Sequence, residues 1–182
     1  MAKMQLDAAE AHPRAREILS ALDPTVPIAV RTAGPGEWIT AEHMCSIMQA
    51  AYEVGGEELA QEVAKSVATR TKDHPFFKPL VHATMRLLGG GPAPYFKFLR
   101  RAWGLVMKDA GTFSIDIYDS DCRIELAELP DVMDKIGFKH SWVGTVRGIL
   151  EIAEHDAYIE LHIGKTGFAL DVDWSDPSES SD

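Results

Sequence analysis

The sequence has little cysteine, no long apolar run and a minority of positive charges, and each shortage excludes a class of protein. Only two of the 182 residues are cysteines. Cys45 and Cys122 form no CxxC pair and no disulfide framework, which is typical of a reducing compartment, so we expect a cytoplasmic protein. No apolar run reaches the roughly 18 residues of a membrane-spanning helix, which predicts no membrane insertion.

The charge balance excludes a further class of partner. The chain has 18 Lys and Arg residues against 28 Asp and Glu residues, a formal net charge of -10. A surface of this sign repels phosphate backbones and anionic headgroups, so we expect no nucleic-acid binding. Asp7, Glu10 and Arg14 interrupt the amino-terminal segment before any long apolar run, which argues against a secretory signal peptide.

With 46% hydrophobic residues the composition is that of an ordinary globular protein. We expect one domain over residues 1–174, followed by a disordered acidic tail over residues 175–182. Three prolines and two glycines between positions 24 and 38 predict an irregular linker inside that domain.

The first half of the chain has helical periodicity. Apolar residues at spacings of three and four predict a helix over residues 8–22. A second helix is expected after Thr40, and Gly55-Gly56 predicts its end. Further helices are expected over residues 59–67 and 76–88, and the second of them is either kinked or starts at Pro79.

The second half changes to strand periodicity after Gly111. Alternating apolar residues predict a hairpin over residues 112–129, and Gly164 to Gly167 predicts the turn of another. An amphipathic helix capped by Ser141 lies between them. We therefore predict an α+β fold in which amino-terminal helices pack on a four-stranded antiparallel sheet of ββαββ order.

The helix predicted over residues 92–109 carries more aromatic side chains than one amphipathic face requires. Two apolar stripes lie side by side on it. Either the helix is buried on all sides, or it also lines an apolar cavity or a dimer interface. The candidate pocket or interface residues are Phe96, Leu99, Trp103, Met107 and Trp142.

The segment from Ser141 to Trp174 resembles the closing part of a superfamily that includes haem-dependent nitric-oxide-binding domains, vinyl-4-reductase domains and TRAPP vesicle-tethering subunits. An apolar helix with a G-x-x-x-G-x-L pattern (Gly144, Gly148 and Leu150) leads into a hairpin that ends on an aromatic strand. The stretch before it is similar to an uncharacterised myxobacterial family of about this length. The resemblance implies a hydrophobic pocket between helices and sheet, and homodimers formed through helices.

Haem is the cofactor that this superfamily would permit. Its haem-binding branch pairs a helical histidine with a downstream Tyr-x-Ser-x-Arg motif that clamps the propionates. Here Tyr118, Ser120 and Arg123 approximate that motif with one extra residue, and His82 is the candidate axial ligand. Because two aspartates lie in the same segment and would repel propionates, we expect no cofactor.

No chemistry-bearing motif stands out elsewhere. The histidines lack metal-ligand spacing, and there is no G-x-S-x-G elbow or phosphate-binding loop, so we expect no metal site and no catalytic residue. The sequence predicts a non-enzymatic binding or regulatory domain in signalling. It would engage a protein partner, or an apolar small molecule in a cavity between helices and sheet. A haem- or metal-dependent sensor or enzyme of the same superfamily is the alternative.

Overall fold

A computed structural model describes residues 1–34, 37, 39–72 and 91–175. The described elements, in chain order, are helices α1 (Ala2–Glu10), α2 (Ala15–Ala21), α3 (Thr25–Thr32), α4 (Ala41–Thr71) and α5 (Ala93–Val106), strands β1 (Thr112–Ile117) and β2 (Asp121–Ala127), helix α6 (Ile136–Ile152), and strands β3 (Tyr158–Ile163) and β4 (Phe168–Asp173). The predicted α+β class is confirmed.

The four strands form one antiparallel sheet in the order β1-β2-β4-β3. Alternation sets its two faces: Cys122, Ile124 and Leu126 are buried, whereas Arg123 and Glu125 between them are exposed. Both hairpins were predictable because each signal is local, an apolar–polar alternation on either side of a polar or glycine-containing turn.

Helix α6 lies between the sheet and α4. Its Phe138 and Trp142 rings contact Phe168 of β4, with centroids 6.2 and 6.1 Å apart. Its opposite face packs along α4, and helices α1 to α3 pack on α4 in turn. Helix α5 approaches the sheet beside α6, where the Trp103 and Phe113 rings lie 4.9 Å apart.

Glycines on α6 allow its backbone to lie directly against α4. A Cβ atom added to Gly144 would lie 2.0 Å from the carbonyl oxygen of Gln61, and one added to Gly148 would lie 2.9 Å from that of Lys65. These are the two glycines of the motif on which the superfamily resemblance depends. The two glycines of the motif are therefore explained by a close helix–helix contact and not by a chemical role.

Several sequence expectations about element boundaries are wrong. The predicted 8–22 helix is two helices, because Pro13 lies in the turn between α1 and α2. The first part of the predicted linker over residues 24–38 is helix α3. Pro24 and Pro27 lie at the start and in the first turn of this helix, where a missing backbone N–H costs little. Helix α6 begins at Ile136 rather than at Ser141, and its first turn is held by the Gly137 N–H, which donates to Gln49 Oε1 at 3.0 Å.

Helix α4 runs through the predicted stop with a break in its geometry. Gly55 has φ -138° and Gly56 has φ 68°, a left-handed value that favours glycine. The glycines thus kink one long helix. The predicted helix over residues 76–88 and most of the predicted tail lie outside the described residues.

Candidate ligand cavity

A cavity of about 160 Å³ lies between α1, α4, α5 and α6. Its lining is mostly apolar, and an apolar cavity of about 150 Å³ is enough to hold a benzene-sized ligand. The described lining residues are Met1 and Gln5; Met44, Ala64, Val67, Ala68, Thr71 and Lys72; Tyr95, Phe98, Leu99, Ala102, Trp103 and Met107; and Phe138, Ser141, Trp142, Thr145, Ile149 and Ile152.

Four of the five candidate residues from the sequence meet at this cavity, namely Leu99, Trp103, Met107 and Trp142. Phe96 lies apart from its lining, fully buried and stacked on Trp174 with ring centroids 5.5 Å apart. Helix α5 is not buried on all sides, because Lys97, Arg100 and Arg101 are exposed.

The expectation of a cavity between helices and sheet needs correction, since no described strand residue lines it. A cluster of aromatic rings fills the space next to the sheet instead. Trp142 lies 5.4 Å from Trp103 and 5.5 Å from Phe113, measured between ring centroids, and it also contacts Phe138 and Phe168. The cavity is therefore displaced to the far side of Trp103 and Trp142, among the helices.

Several lining residues lie beyond the reach of sequence periodicity. Gln5 is 8% exposed and shares the buried face of α1 with Ala2, Leu6 and Ala9. The signal that could have found Gln5 is a polar residue on the apolar stripe of a short helix, but the helix predicted from the sequence began at residue 8, after Gln5.

The Tyr95 hydroxyl is a titratable group at the cavity. Tyr95 is half-buried, and burial together with the negative charge of Glu154 raises the pKa of its hydroxyl.

The described histidines lie away from the cavity lining. Each has a partner elsewhere: His12 with Glu62, His43 with Thr40, His140 with Tyr52 and Glu57, His155 with the carbonyl of Ala153, and His162 with Asp171. His74 and His82 lie outside the described residues. Within the described ranges, no group of three or more His, Cys, Asp or Glu side chains is arranged to hold a metal ion.

The residues of the approximate propionate-clamp motif lie on the sheet, away from the cavity. Arg123 is exposed on the outer face, and its Nη1 donates to both carboxylate oxygens of Asp171 at 2.7 and 2.9 Å. Tyr118 is 60% exposed. An arginine on that face, neutralised by an aspartate, is not available to an occupant of the cavity.

Both cysteines are buried thiols. Burial raises the pKa of Cys45 and of Cys122 to about 12. Because the thiolate is the reactive form, we expect neither residue to react with iodoacetamide in the folded protein at about pH 8, and both to react in denaturant. Mass spectrometry of the alkylated protein checks this. Rapid labelling of the folded chain would contradict it.

The same shift predicts a pH dependence of stability. An unfolded cysteine ionises near pH 8.5, well below the folded values of about 12. The contribution of the protonated thiols is therefore fully present below about pH 8.5 and is lost as the pH rises toward 12. Thermal melts of the wild type and of a Cys45→Ala, Cys122→Ala double variant should show a steeper alkaline loss for the wild type.

No protein-family model matches the chain, and no curated protein matches it. Solved structures do. A variant of the H-NOX protein of K. algicida, with unliganded Fe(II), matches with a TM-score of 0.66 and 11% identity over 96% of this chain and 94% of that chain. An oxygen-binding H-NOX domain related to soluble guanylate cyclases, in its oxygen complex, matches with a TM-score of 0.63 and 12% identity over 96% and 93%.

The chain has the H-NOX fold.

A third solved structure, which concerns haem redox potential and protein-induced porphyrin distortion, matches with a TM-score of 0.63 and 11% identity over 96% of this chain and 93% of that chain. The TM-scores of 0.66 and 0.63 show that the fold is shared. Identities of 11% and 12% do not show the activity, which has to be argued from the residues of this chain. The resemblance to haem-dependent nitric-oxide-binding domains is thus supported at the level of fold. The myxobacterial, vinyl-4-reductase and TRAPP resemblances remain expectations.

The described residues do not fit a haem. Among the lining residues that the structure describes there is no imidazole and no cysteine, and the one arginine of the clamp-like motif faces away from the cavity. Thioethers of Met44 and Met107 do line it, but a methionine at haem iron normally accompanies a histidine. A porphyrin is also several times larger than the benzene-sized molecule that about 160 Å³ accommodates.

Within the described part of the chain, no helix combines the length and the apolar character that a membrane crossing requires.

Proposed function

We propose that this chain is a ligand-sensing domain of the H-NOX fold, and that it holds a small apolar molecule among α1, α4, α5 and α6. The observation that carries the proposal is the apolar cavity between these four helices. No catalytic residue is proposed, because the polar groups at the cavity are an amide, hydroxyls and a lysine, without a nucleophile–base pair among the described residues.

The packing suggests how occupancy would be transmitted. Helices α4 and α6 are held together by backbone contacts at Gly144 and Gly148, so they form the fixed part of the cavity wall. Helix α5 supplies a further wall, and a Cβ atom added to its Gly104 would meet nothing within 4 Å. A ligand that binds one position of α5 better than another shifts the helix toward that position.

A protein partner would read that shift on the exposed face of α5. Arg100 and Arg101 are both exposed there, on a chain whose net charge is -10. A pair of arginines suits an acidic patch on the partner. Homodimerisation remains a prediction, and so does a cytoplasmic location.

Filling the cavity tests the proposal. In the Leu99→Trp variant the larger side chain would occupy the cavity. We therefore expect the affinity of this variant for toluene to be at least about tenfold lower than that of the wild type, which corresponds to the loss of one buried ring contact. The matched control is Lys97→Trp, which adds the same side chain on the exposed side of α5. Isothermal titration calorimetry measures both. Equal toluene affinity in the two variants would contradict the proposal.

A haem-dependent sensor is the second candidate, and the structural neighbours favour it over a partner-binding domain without a ligand. His82, outside the described residues, is the candidate iron ligand. An absorption spectrum of the purified protein after haem addition tests it. A Soret band that His82→Ala removes and Met107→Leu retains would establish haem binding. Absence of the band in the wild type leaves the small apolar ligand.

A further inference from the structure

The side-chain carbonyl of Gln5 is a buried acceptor that lacks a partner. Gln5 is 8% exposed and lines the cavity, and its Oε1 atom makes no hydrogen bond. Among the described lining residues it is the one with a buried, unpaired side-chain oxygen. A buried acceptor left unpaired destabilises the folded protein, so a group of this kind calls for a physical explanation.

Three hydroxyl groups at the cavity, those of Ser141, Thr145 and Thr71, have no proton to offer Gln5 or a ligand. Ser141 donates to the carbonyl of Phe138 at 2.6 Å, and Thr145 donates to that of Ser141 at 3.1 Å. Thr71 likewise donates to the carbonyl of Val67 at 2.9 Å. Each hydroxyl carries a single proton, so these oxygens present only lone pairs.

The other donors on described lining residues are the indole N–H groups of Trp103 and Trp142, the amide N–H groups of Gln5, the Tyr95 hydroxyl and the Lys72 ammonium. None of them is bonded to Gln5 Oε1. Lys72 is exposed and Tyr95 is half-buried. Among the described lining residues, the cavity thus combines apolar side chains with one buried and unpaired acceptor, Gln5 Oε1. Such a site selects ligands by a proton that they donate.

We infer that the ligand of this cavity is a small apolar ring compound with one N–H or O–H group, which donates to Gln5 Oε1. The inference rests on the proposed function and specifies the chemical class of its ligand. The bound donor removes the unpaired acceptor, so recognition is strongest for a ligand that brings one proton and no charge.

Three probes of matched size test the inference. Indole carries an N–H donor, indene carries no polar group, and benzofuran carries an acceptor oxygen. We expect the wild type to bind indole about tenfold more tightly than the other two, because one net hydrogen bond is worth about that ratio. Gln5→Leu should bind all three with similar affinity. The control Gln61→Leu, whose side chain bonds Arg147 away from the cavity, should keep the indole preference.

The melting temperature without ligand separates recognition from a structural role. Gln5→Leu replaces an unpaired amide by an apolar side chain of similar length, so the melting temperature should rise by about 4 °C. A fall of similar size would overturn the inference, because Gln5 would then be a structural residue.

The binding outcomes distinguish the two levels of the argument. Equal binding of indole and indene by the wild type, or a preference for benzofuran, would overturn the role of Gln5 and leave the cavity proposal intact. Failure of all three probes to bind the wild type would overturn the proposed function itself.

Discussion

Replacing Gly144 by alanine is expected to lower the free energy of unfolding by about 3 kcal/mol, and the melting temperature by about 6–12 °C. The added methyl group would lie 2.0 Å from the carbonyl oxygen of Gln61. Neither atom belongs to a flexible side chain, so α4 and α6 must separate along their length. Urea denaturation followed by circular dichroism measures the change.

The same substitution at Gly104 is the matched control. Gly104 lies in α5, and an added Cβ atom there meets nothing within 4 Å. Alanine is favoured over glycine in a helix by about 1 kcal/mol, so Gly104→Ala should leave the protein unchanged or slightly more stable. Equal losses in the two variants would show that α4 and α6 are not in backbone contact at Gly144.

Removing the Trp142 ring is expected to cost about 3–5 kcal/mol of stability, the range for a buried aromatic residue replaced by alanine. Trp142 is 5% exposed and separates the cavity from the sheet. The substitution would also enlarge the cavity. Toluene should therefore raise the melting temperature of Trp142→Ala more than that of the wild type. Differential scanning calorimetry with and without toluene measures both effects.

Tyr158→Ala is the control for the loss of an aromatic ring. Tyr158 is 68% exposed on β3, and its removal should change stability by no more than about 0.5 kcal/mol. If Trp142→Ala proved as stable as Tyr158→Ala, the aromatic cluster would not support the wall between cavity and sheet.

The sheet was predictable from the sequence because its signals are short in range. Ile115 and Ile117 alternate with polar residues, and the turn between Gly164 and Gly167 separates two further alternating runs. Strand order was not predictable in this way. Pairing of β2 with β4 joins segments on either side of α6, and only the shared buried face brings Ile124 opposite Leu170.

The prolines explain why the bounds of the amino-terminal helices were predicted wrongly. Pro24 and Pro27 are compatible with α3 because both lie where a helix has no N–H to lose. Their sequence context nevertheless resembles a loop. Pro13 had the opposite effect, because the apolar spacing continues across a turn that the proline requires.

The cavity could be predicted only in part. The excess of aromatic residues on α5 indicated Leu99 and Trp103, but the opposite walls come from Gln5 and Val67 on distant helices. No local pattern reports which helices enclose a space. Phe96 has the same character as its neighbours in the sequence, and only its stacking on Trp174 removes it from the lining.

The most direct test of the ligand cavity is a nuclear magnetic resonance titration of the nitrogen-15-labelled protein with indole. Trp103 and Trp142 line the cavity, whereas Trp174 stacks on Phe96 away from it. The side-chain N–H signals of Trp103 and Trp142 should shift with saturation while that of Trp174 stays fixed. Unchanged signals for Trp103 and Trp142, or equal shifts of all three, would contradict a ligand site among these helices.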